Sequence, residues 1–225
     1  MNVAQRPTSE AISVTGPAGG LEAILESPAD VVPRGLAVVC HPHPLHGGTM
    51  HNKVAHTLAR AFLSEGFSAL RFNFRGVGAS DGKFADGDGE TGDVVAALEY
   101  AQSQVHAGDV GESIWLAGFS FGAAMAVRVA AERDVAGLVS VAPAAFRFAG
   151  TLSGQPRCPW LVVHGDADDV VPIEESVKWL DGLEPGPELV VFPEAGHFFH
   201  GRLVELRETV QGFVQKQASA ASALD

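Results

Sequence analysis

Long apolar segments are absent from this chain of 225 residues. No uninterrupted apolar run approaches the roughly 20 residues that a helix needs to cross a bilayer. Residues 1–13 include Arg6, Pro7 and Glu10 but no apolar core, so the sequence predicts no secretory signal peptide. Together these absences predict a cytoplasmic protein without a membrane partner.

Basic residues and cysteines are also scarce. The chain has 15 Lys and Arg residues against 27 Asp and Glu residues, which gives a formal net charge of −12. The basic residues are scattered and form no stripe that would attract phosphates, which argues against nucleic acid as a partner. The two cysteines, Cys40 and Cys158, lie in apolar surroundings without a Cys-x-x-Cys spacing, so we expect buried thiols of a reducing compartment rather than a disulfide.

Apolar, β-branched runs alternate with helical patterns along the chain. Leu36–Cys40 is a continuous apolar run, typical of a strand buried on both faces, and apolar residues then recur at helical spacing over residues 54–62. The alternation continues and predicts an α/β fold, with a mostly parallel central sheet covered by helices on both faces. We expect one domain over residues 1–216, followed by an Ala- and Ser-rich tail at 217–225 that frays.

The pentapeptide Gly-Phe-Ser-Phe-Gly occupies residues 118–122. It follows an apolar run and precedes a run of small residues, so the pattern predicts a strand, a sharp turn and a helix with Ser120 at the apex. A serine exposed there can act as a nucleophile if a base lies beside it. Phe121 stands in the first turn of the helix, where its N–H group can face a developing oxyanion. On the pentapeptide alone, a packed glycine-rich turn without chemistry is the alternative.

An activated serine needs a base, and the base needs an acid that orients it. Three aspartates follow the apolar run 161–164, namely Asp166, Asp168 and Asp169. Asp166 is close to the strand end and is suited to bonding N–H groups of the turn, and Asp169 precedes an apolar pair that must turn inward. The sequence therefore favours Asp168 as the acid, with a turn or capping role for all three as the alternative.

Two histidines follow the apolar run Leu189–Phe192, which is the last predicted strand, and are candidates for the base. His197 comes directly after Gly196, which gives the backbone freedom to aim the imidazole over the edge of the sheet. His200 comes about one helical turn later and is interpreted as a residue of the first turn or of the rim. The sequence favours His197, and the order Ser, Asp, His is the one expected for this kind of sheet.

The loop at residues 41–48 reads His-Pro-His-Pro-Leu-His-Gly-Gly and follows a predicted strand. An oxyanion site needs a second N–H donor besides Phe121, and prolines cannot provide one. Because Pro42 and Pro44 are excluded, His43 N–H is the donor best placed beyond the strand end. The prolines also restrict the loop, so little ordering remains to be done during a reaction.

The histidines of this region allow a second interpretation, as a zinc site. They are His41, His43, His46 and His51. Pro44 interrupts them, and their spacing is not the i, i+4 of a helical pair, so we expect no metal and no cofactor. His41 and His46 are instead expected to brace the loop through hydrogen bonds to backbone carbonyls.

With these motifs in hand, the chain resembles the α/β-hydrolase superfamily. Residues 118–122 are similar to its nucleophile elbow, residues 164–172 are similar to its acid loop with Asp168 at the acid position, and residues 196–198 are similar to its histidine segment. The string His-Pro-His-Pro-Leu-His-Gly-Gly-Thr-Met at residues 41–50 resembles a group of small, single-domain bacterial hydrolases. The resemblance implies a Ser120–His197–Asp168 triad.

The resemblance also implies that no cap domain is present. Many relatives insert a helical cap between the sixth strand and the acid strand, whereas only residues 143–159 separate them here. We therefore expect an open apolar cleft, which in an acidic protein suits small neutral acyl esters or thioesters. The residues predicted to line it are Leu45, Phe119, Phe146 and Phe198.

The sequence thus predicts a serine hydrolase of the carboxylesterase type that works through an acyl-enzyme. An acyl-thioesterase and an amidase or peptidase would use the same residues and are the alternatives within enzymes. A catalytically silent scaffold that binds a ligand and a metallohydrolase are the alternatives outside this class. The acyl chain length, the physiological substrate and the oligomeric state are left open.

Overall fold

The protein is described from a computed structural model, which covers residues 6–147 and 154–221 and, for Phe146, Ala220 and Ala221, only the backbone. Eight strands and five helices are found in these residues. The strands are β1 (Thr8–Gly16), β2 (Gly19–Ser27), β3 (Gly35–Cys40), β4 (Ser68–Phe72), β5 (Ser113–Phe119), β6 (Gly137–Val141), β7 (Trp160–Gly165) and β8 (Glu188–Phe192). The helices are α1 (Lys53–Ser64), α2 (Asp88–Ala107), α3 (Phe121–Ala130), α4 (Ile173–Leu180) and α5 (Leu203–Ala221).

The strands form one sheet in the order β1-β2-β4-β3-β5-β6-β7-β8. In this order, every pair of neighbours from β4 to β8 is parallel. Strand β1 pairs antiparallel with β2, and β2 pairs antiparallel with β4. Strands β3, β4, β6 and β7 are buried along their whole length. This burial follows from two apolar layers, one with α2 and α3 and the other with α1 and α5. The predicted α/β-hydrolase architecture, with helices on both faces, is confirmed.

Strand β1 is the element that the sequence patterns did not predict. Its segment is mostly polar, and only Val14 is buried along the strand. The strand pairs with β2 at the edge of the sheet through a short turn between Gly16 and Gly19. An edge strand needs few apolar residues, since only part of one face contacts the core. The signals that could have identified it are the alternation of Ile12 and Val14 and the glycines that follow.

Two segments bear on the predicted domain organisation, namely the connection between β6 and β7 and the C-terminal helix. Between β6 and β7, the described residues form a short 3₁₀ turn at Ala145–Arg147 and no cap helix. Helix α5 continues to Ala221, so the start of the predicted frayed tail at residue 217 does not coincide with the end of the helix. Residues 222–225 of that tail lie outside the described residues.

The described chain has no helix that is both long and apolar enough to span a bilayer. Cys40 and Cys158 are both free thiols, the first buried and the second partly exposed. Burial raises the pKa of Cys158 to about 11, which keeps its thiol protonated near neutral pH.

Candidate active site

Ser120 lies at the turn between β5 and α3, at the carboxyl edge of the sheet. Its backbone has φ +55° and ψ −114°, a conformation that is strained for a residue with a side chain. The Ser120 N–H group donates to the carbonyl oxygen of Val141 at 2.9 Å, which ties the turn to the neighbouring strand. The side chain sits at the head of α3, as the pentapeptide predicted.

The two glycines of the pentapeptide are required by close backbone approaches. A Cβ atom on Gly118 would lie 2.5 Å from the backbone of Gly122. A Cβ atom on Gly122 would lie 2.3 Å from the carbonyl oxygen of His41 and 2.5 Å from that of Cys40. These atoms belong to β3 and its loop, so helix α3 can pack this close to the sheet only without a side chain at residue 122.

Replacing Gly122 by Ala is expected to lower the free energy of unfolding by about 2–4 kcal/mol, because backbone atoms must move to admit the methyl group. Denaturant unfolding would measure the change. Gly212→Ala is the matched control, since a Cβ atom on Gly212 of α5 would meet nothing within 4 Å. The control variant should be unchanged or more stable by up to about 1 kcal/mol, and an equal loss in both variants would contradict the packing argument.

Ser120, His197 and Asp168 form a hydrogen-bonded row. His197 Nε2 lies 3.1 Å from Ser120 Oγ, and His197 Nδ1 lies 2.7 Å from Asp168 Oδ2. The three side chains come from the loops after β5, β7 and β8, so the parallel sheet brings residues far apart in sequence to one edge. All three residues are buried, which protects the hydrogen bonds from water.

The Asp168 carboxylate accepts three hydrogen bonds, one from His197 and two from backbone N–H groups. Its Oδ1 atom accepts from the N–H groups of Val170 at 2.9 Å and Val171 at 2.8 Å. Burial favours the neutral carboxyl, but the hydrogen bonds from His197, Val171 and Val170 outweigh it and hold the pKa of Asp168 below its ordinary value. The ionised carboxylate can only accept, so His197 Nδ1 carries the proton and Nε2 is left to accept from Ser120.

The other candidates for acid and base lie outside this row. Asp166 is exposed, and its carboxylate accepts from the N–H group of Glu194 at 2.6 Å, which fits the turn role expected for it. Asp169 is exposed. His200 is also exposed, with its ring 5.9 Å from that of Phe198.

The two residues predicted to provide the oxyanion donors have their rings in contact. Phe121 is the first residue of α3, and its ring centroid is 5.0 Å from that of His43. The His43 carbonyl accepts from the N–H groups of His46 at 3.1 Å and Gly48 at 3.0 Å, which fixes the loop after β3. Among the described residues, no partner accepts from the His43 N–H group. The donor role of both N–H groups stays a prediction.

His41 braces the loop beneath the site. Its Nδ1 atom lies 2.6 Å from the Pro42 carbonyl oxygen, and its Nε2 atom accepts from the Phe74 N–H group at 3.0 Å. Burial lowers the pKa of His41 to about 4, so the ring is neutral near neutral pH. Over residues 6–147 and 154–221, no three His, Cys, Asp or Glu side chains are grouped so that they could hold a metal ion.

Burial of His41 makes the stability of the protein depend on pH. Its pKa is about 4 in the folded protein and about 6.5 when unfolded, so between these values the unfolded chain binds more protons. Stability is therefore full above pH 6.5 and is lost as the pH falls toward 4, by about 2 kcal/mol between pH 7.5 and 5.0.

Denaturant unfolding of wild type and His41→Gln at pH 7.5 and 5.0 would measure this effect. The variant should be less stable at pH 7.5 but should lose about 2 kcal/mol less on acidification. His200→Gln is the control, because it makes the same change at an exposed position outside the loop that His41 braces. An identical acid sensitivity in wild type and His41→Gln would show that His41 is not the group responsible.

The residues predicted to line the cleft have three outcomes. Leu45, in the loop after β3, and Phe198, directly after His197, are exposed at 68% and 48%. Phe119 is fully buried with its ring 4.8 Å from that of His197, so the prediction that it lines the cleft is wrong. It is the last residue of β5 and points into the core beneath the site. The side chain of Phe146 lies outside the described residues.

Sequence reasoning missed two residues beside the row. His164 is buried, with Nδ1 4.0 Å from Asp168 Oδ2 and Nε2 3.1 Å from the hydroxyl of Ser176. Arg147 donates to the Val170 carbonyl at 2.9 Å, beside the loop that holds Asp168. A second histidine directly before the aspartate loop was the available signal for His164, whereas nothing in the sequence pattern placed Arg147 there.

Comparison with known proteins agrees with this architecture. The family model described as serine aminopeptidase, S33, matches residues 34–153, and that of the prolyl oligopeptidase family matches residues 149–220. The chain is 29% identical over 188 residues to an uncharacterized protein of Rickettsia prowazekii, covering 80% of this chain and 78% of that protein.

Solved structures are similar over nearly the whole chain. An α-β serine hydrolase homologue from Coxiella burnetii is 45% identical, with 90% of this chain and 95% of that chain covered and a TM-score of 0.82. An α/β serine hydrolase without a lid from Xanthomonas campestris is 41% identical, with 96% and 97% covered and a TM-score of 0.85. With its parallel sheet, its strained serine turn and these relatives, the chain belongs to the α/β-hydrolase superfamily, among the serine hydrolases without a lid.

Proposed function

We propose that this protein hydrolyses small acyl esters through an acyl-enzyme formed on Ser120. The observation that carries the proposal is the row in which Ser120 Oγ lies 3.1 Å from His197 Nε2, with Asp168 2.7 Å behind the imidazole. This is the arrangement that nucleophilic catalysis by a serine requires. The same row argues against a silent scaffold, since a purely binding protein has no need of it.

In the first half of the reaction, Ser120 Oγ attacks the carbonyl carbon of the ester while its proton passes to His197 Nε2. The N–H groups of Phe121 and His43 donate to the oxyanion of the tetrahedral intermediate, and each such donor is worth about 3 kcal/mol. Asp168 stabilises the imidazolium and holds the ring in place. The intermediate collapses to the acyl-enzyme as His197 returns the proton to the departing alcohol.

In the second half, water replaces the alcohol. His197 accepts a proton from the water as its oxygen attacks the acyl carbon, and the same two N–H groups stabilise the second oxyanion. Collapse of that intermediate breaks the bond to Ser120 Oγ, which regains its proton from His197. The products are a carboxylic acid and an alcohol, and the enzyme is restored.

The surroundings of the row support a small, neutral acyl substrate. Leu45 and Phe198 present exposed apolar side chains beside the site, and no cap helix covers it among the described residues. The net charge of −12 disfavours polyanionic substrates. A thioester would meet the same groups, since the leaving group departs toward the open rim.

Peptide or amide hydrolysis is the second candidate function. It is favoured by the descriptions of both matching family models, which name peptidases. The chemistry at Ser120 would be the same, but His197 would have to protonate an amine, a poorer leaving group than an alcohol. Esters of small acids therefore remain the first proposal.

Reaction with a fluorophosphonate probe, followed by peptide mass spectrometry, tests the proposed nucleophile. The adduct is expected on Ser120, and its absence would favour the silent scaffold. Initial rates on matched p-nitrophenyl esters, acyl thioesters and aminoacyl p-nitroanilides then separate the substrate classes. A probe adduct combined with higher kcat/KM on the anilides would replace the esterase proposal by the peptidase one. Activity that EDTA removes would instead support a metallohydrolase.

A further inference from the structure

A groove lies between helices α1 and α5. Its volume is about 300 Å³, and its lining residues are His56, Thr57, Arg60, Leu203, Val204 and Arg207. Each helix contributes residues at positions i, i+1 and i+4, so one face of each helix lines the groove. We call it the α1–α5 groove. None of its residues belongs to the Ser120 row or to the predicted oxyanion donors.

The α1–α5 groove concentrates positive charge in a chain whose formal net charge is −12. Arg60 lines it from α1 and Arg207 from α5. Within residues 6–147 and 154–221, neither arginine has an acidic side chain within ion-pair distance. The carboxylate of Glu26, which acts on His56 electrostatically, is already held by Arg71 at 2.8 Å. The groove thus has positive charge without a matching anion from these parts of the chain.

Arg207 provides a second, independent observation. Its Nε atom is buried and has no hydrogen-bond partner among the described residues. Every other buried side-chain nitrogen or oxygen in the described part of the chain has one. A buried donor on a charged group lowers the stability of the folded protein when it stays unpaired. An acceptor bound in the groove that pairs with Arg207 would therefore stabilise the protein.

We propose that the α1–α5 groove binds a phosphate group carried by a small molecule. Two guanidinium groups from opposite helices can donate paired N–H bonds to phosphate oxygens, and a dianion matches their combined charge. The Thr57 hydroxyl donates to the Lys53 carbonyl at 2.8 Å, which leaves the arginines and His56 as donors. Leu203 and Val204, the latter 62% exposed, would contact an apolar part of the same ligand.

Calorimetric titration of the full chain with inorganic phosphate, phenyl phosphate and benzoate tests the site. Phenyl phosphate is expected to bind one site per chain with a Kd of about 1 mM or below, more tightly than inorganic phosphate and than benzoate. Arg60→Gln and Arg207→Gln should each weaken binding at least about tenfold. Arg133→Gln removes the same charge from an exposed position outside the groove and should leave the affinity unchanged.

Thermal unfolding provides the second readout and the check that the variants fold. Phenyl phosphate should raise the Tm of wild type and Arg133→Gln, but not that of Arg207→Gln. The proposal is overturned by the lack of saturable binding up to about 20 mM, or by equal affinity in wild type and both groove variants. Tighter binding of benzoate than of phenyl phosphate would overturn the phosphate assignment. These results are independent of whether Ser120 hydrolyses esters.

Discussion

Ser120→Ala is expected to reduce kcat for p-nitrophenyl acetate by about 10⁶-fold, because no other group in the row can form the acyl-enzyme. Residual turnover would come from the oxyanion donors and from binding alone. The fold should be retained, since alanine occupies less space than serine and the Ser120 N–H bond to Val141 is a backbone contact. Initial-rate kinetics, with circular dichroism and Tm to verify folding, would measure both effects.

Ser103→Ala is the matched control for this experiment. Its hydroxyl is exposed on α2 and donates to the Tyr100 carbonyl at 2.6 Å. Ser103 takes no part in the row of Ser120, His197 and Asp168. A surface change of this kind should alter the rate by no more than about twofold. Turnover in Ser120→Ala within about tenfold of wild type would exclude the acyl-enzyme on Ser120.

Asp168→Asn is expected to reduce kcat by about 10⁴-fold with little change in shape. The amide oxygen can keep the bonds from the Val170 and Val171 N–H groups, so the amide nitrogen would face His197 Nδ1. That nitrogen is a donor, which forces the His197 proton onto Nε2 and leaves no acceptor for Ser120. The loss therefore arises from the wrong tautomer as well as from the lost charge.

Asp169→Asn is a closely matched control for the acid, because it makes the same change one residue away at an exposed position. Its kcat should stay within about twofold of wild type. Steady-state kinetics over a range of pH would compare the three proteins. If Asp169→Asn lost as much activity as Asp168→Asn, the assignment of Asp168 as the acid would have to be abandoned.

Much of the fold was predictable because strands and helices leave local periodicities. The apolar run Leu36–Cys40 became β3 (Gly35–Cys40), and the helical spacing over residues 54–62 became part of α1. Strand β1 was missed because an edge strand with a single buried apolar residue, Val14, carries little periodic signal. The sheet order, by contrast, has no local signature.

The sequence reduced the candidates for the acid to three aspartates, but it did not show which carboxylate meets the base. Asp166, Asp168 and Asp169 have the same chemistry, so the sequence could separate them only by their positions in the loop. The folded chain makes the distinction, since only Asp168 lies 2.7 Å from His197. The prediction for Phe119 was wrong. An aromatic residue beside the nucleophile is as compatible with a core as with a cleft, and in the structure Phe119 is buried.

Local sequence was sufficient to specify the turn at Ser120, because its demands are met by neighbouring residues. Gly118 and Gly122 admit backbone contacts that any Cβ atom would block. The meeting of Ser120 with His197, which is 77 residues away, arose from the order of the parallel strands. The pairing of Arg60 with Arg207 across one groove likewise arose from the packing of α1 against α5. Side-chain direction and strand order are properties of the whole folded chain, so no short stretch of sequence encodes them.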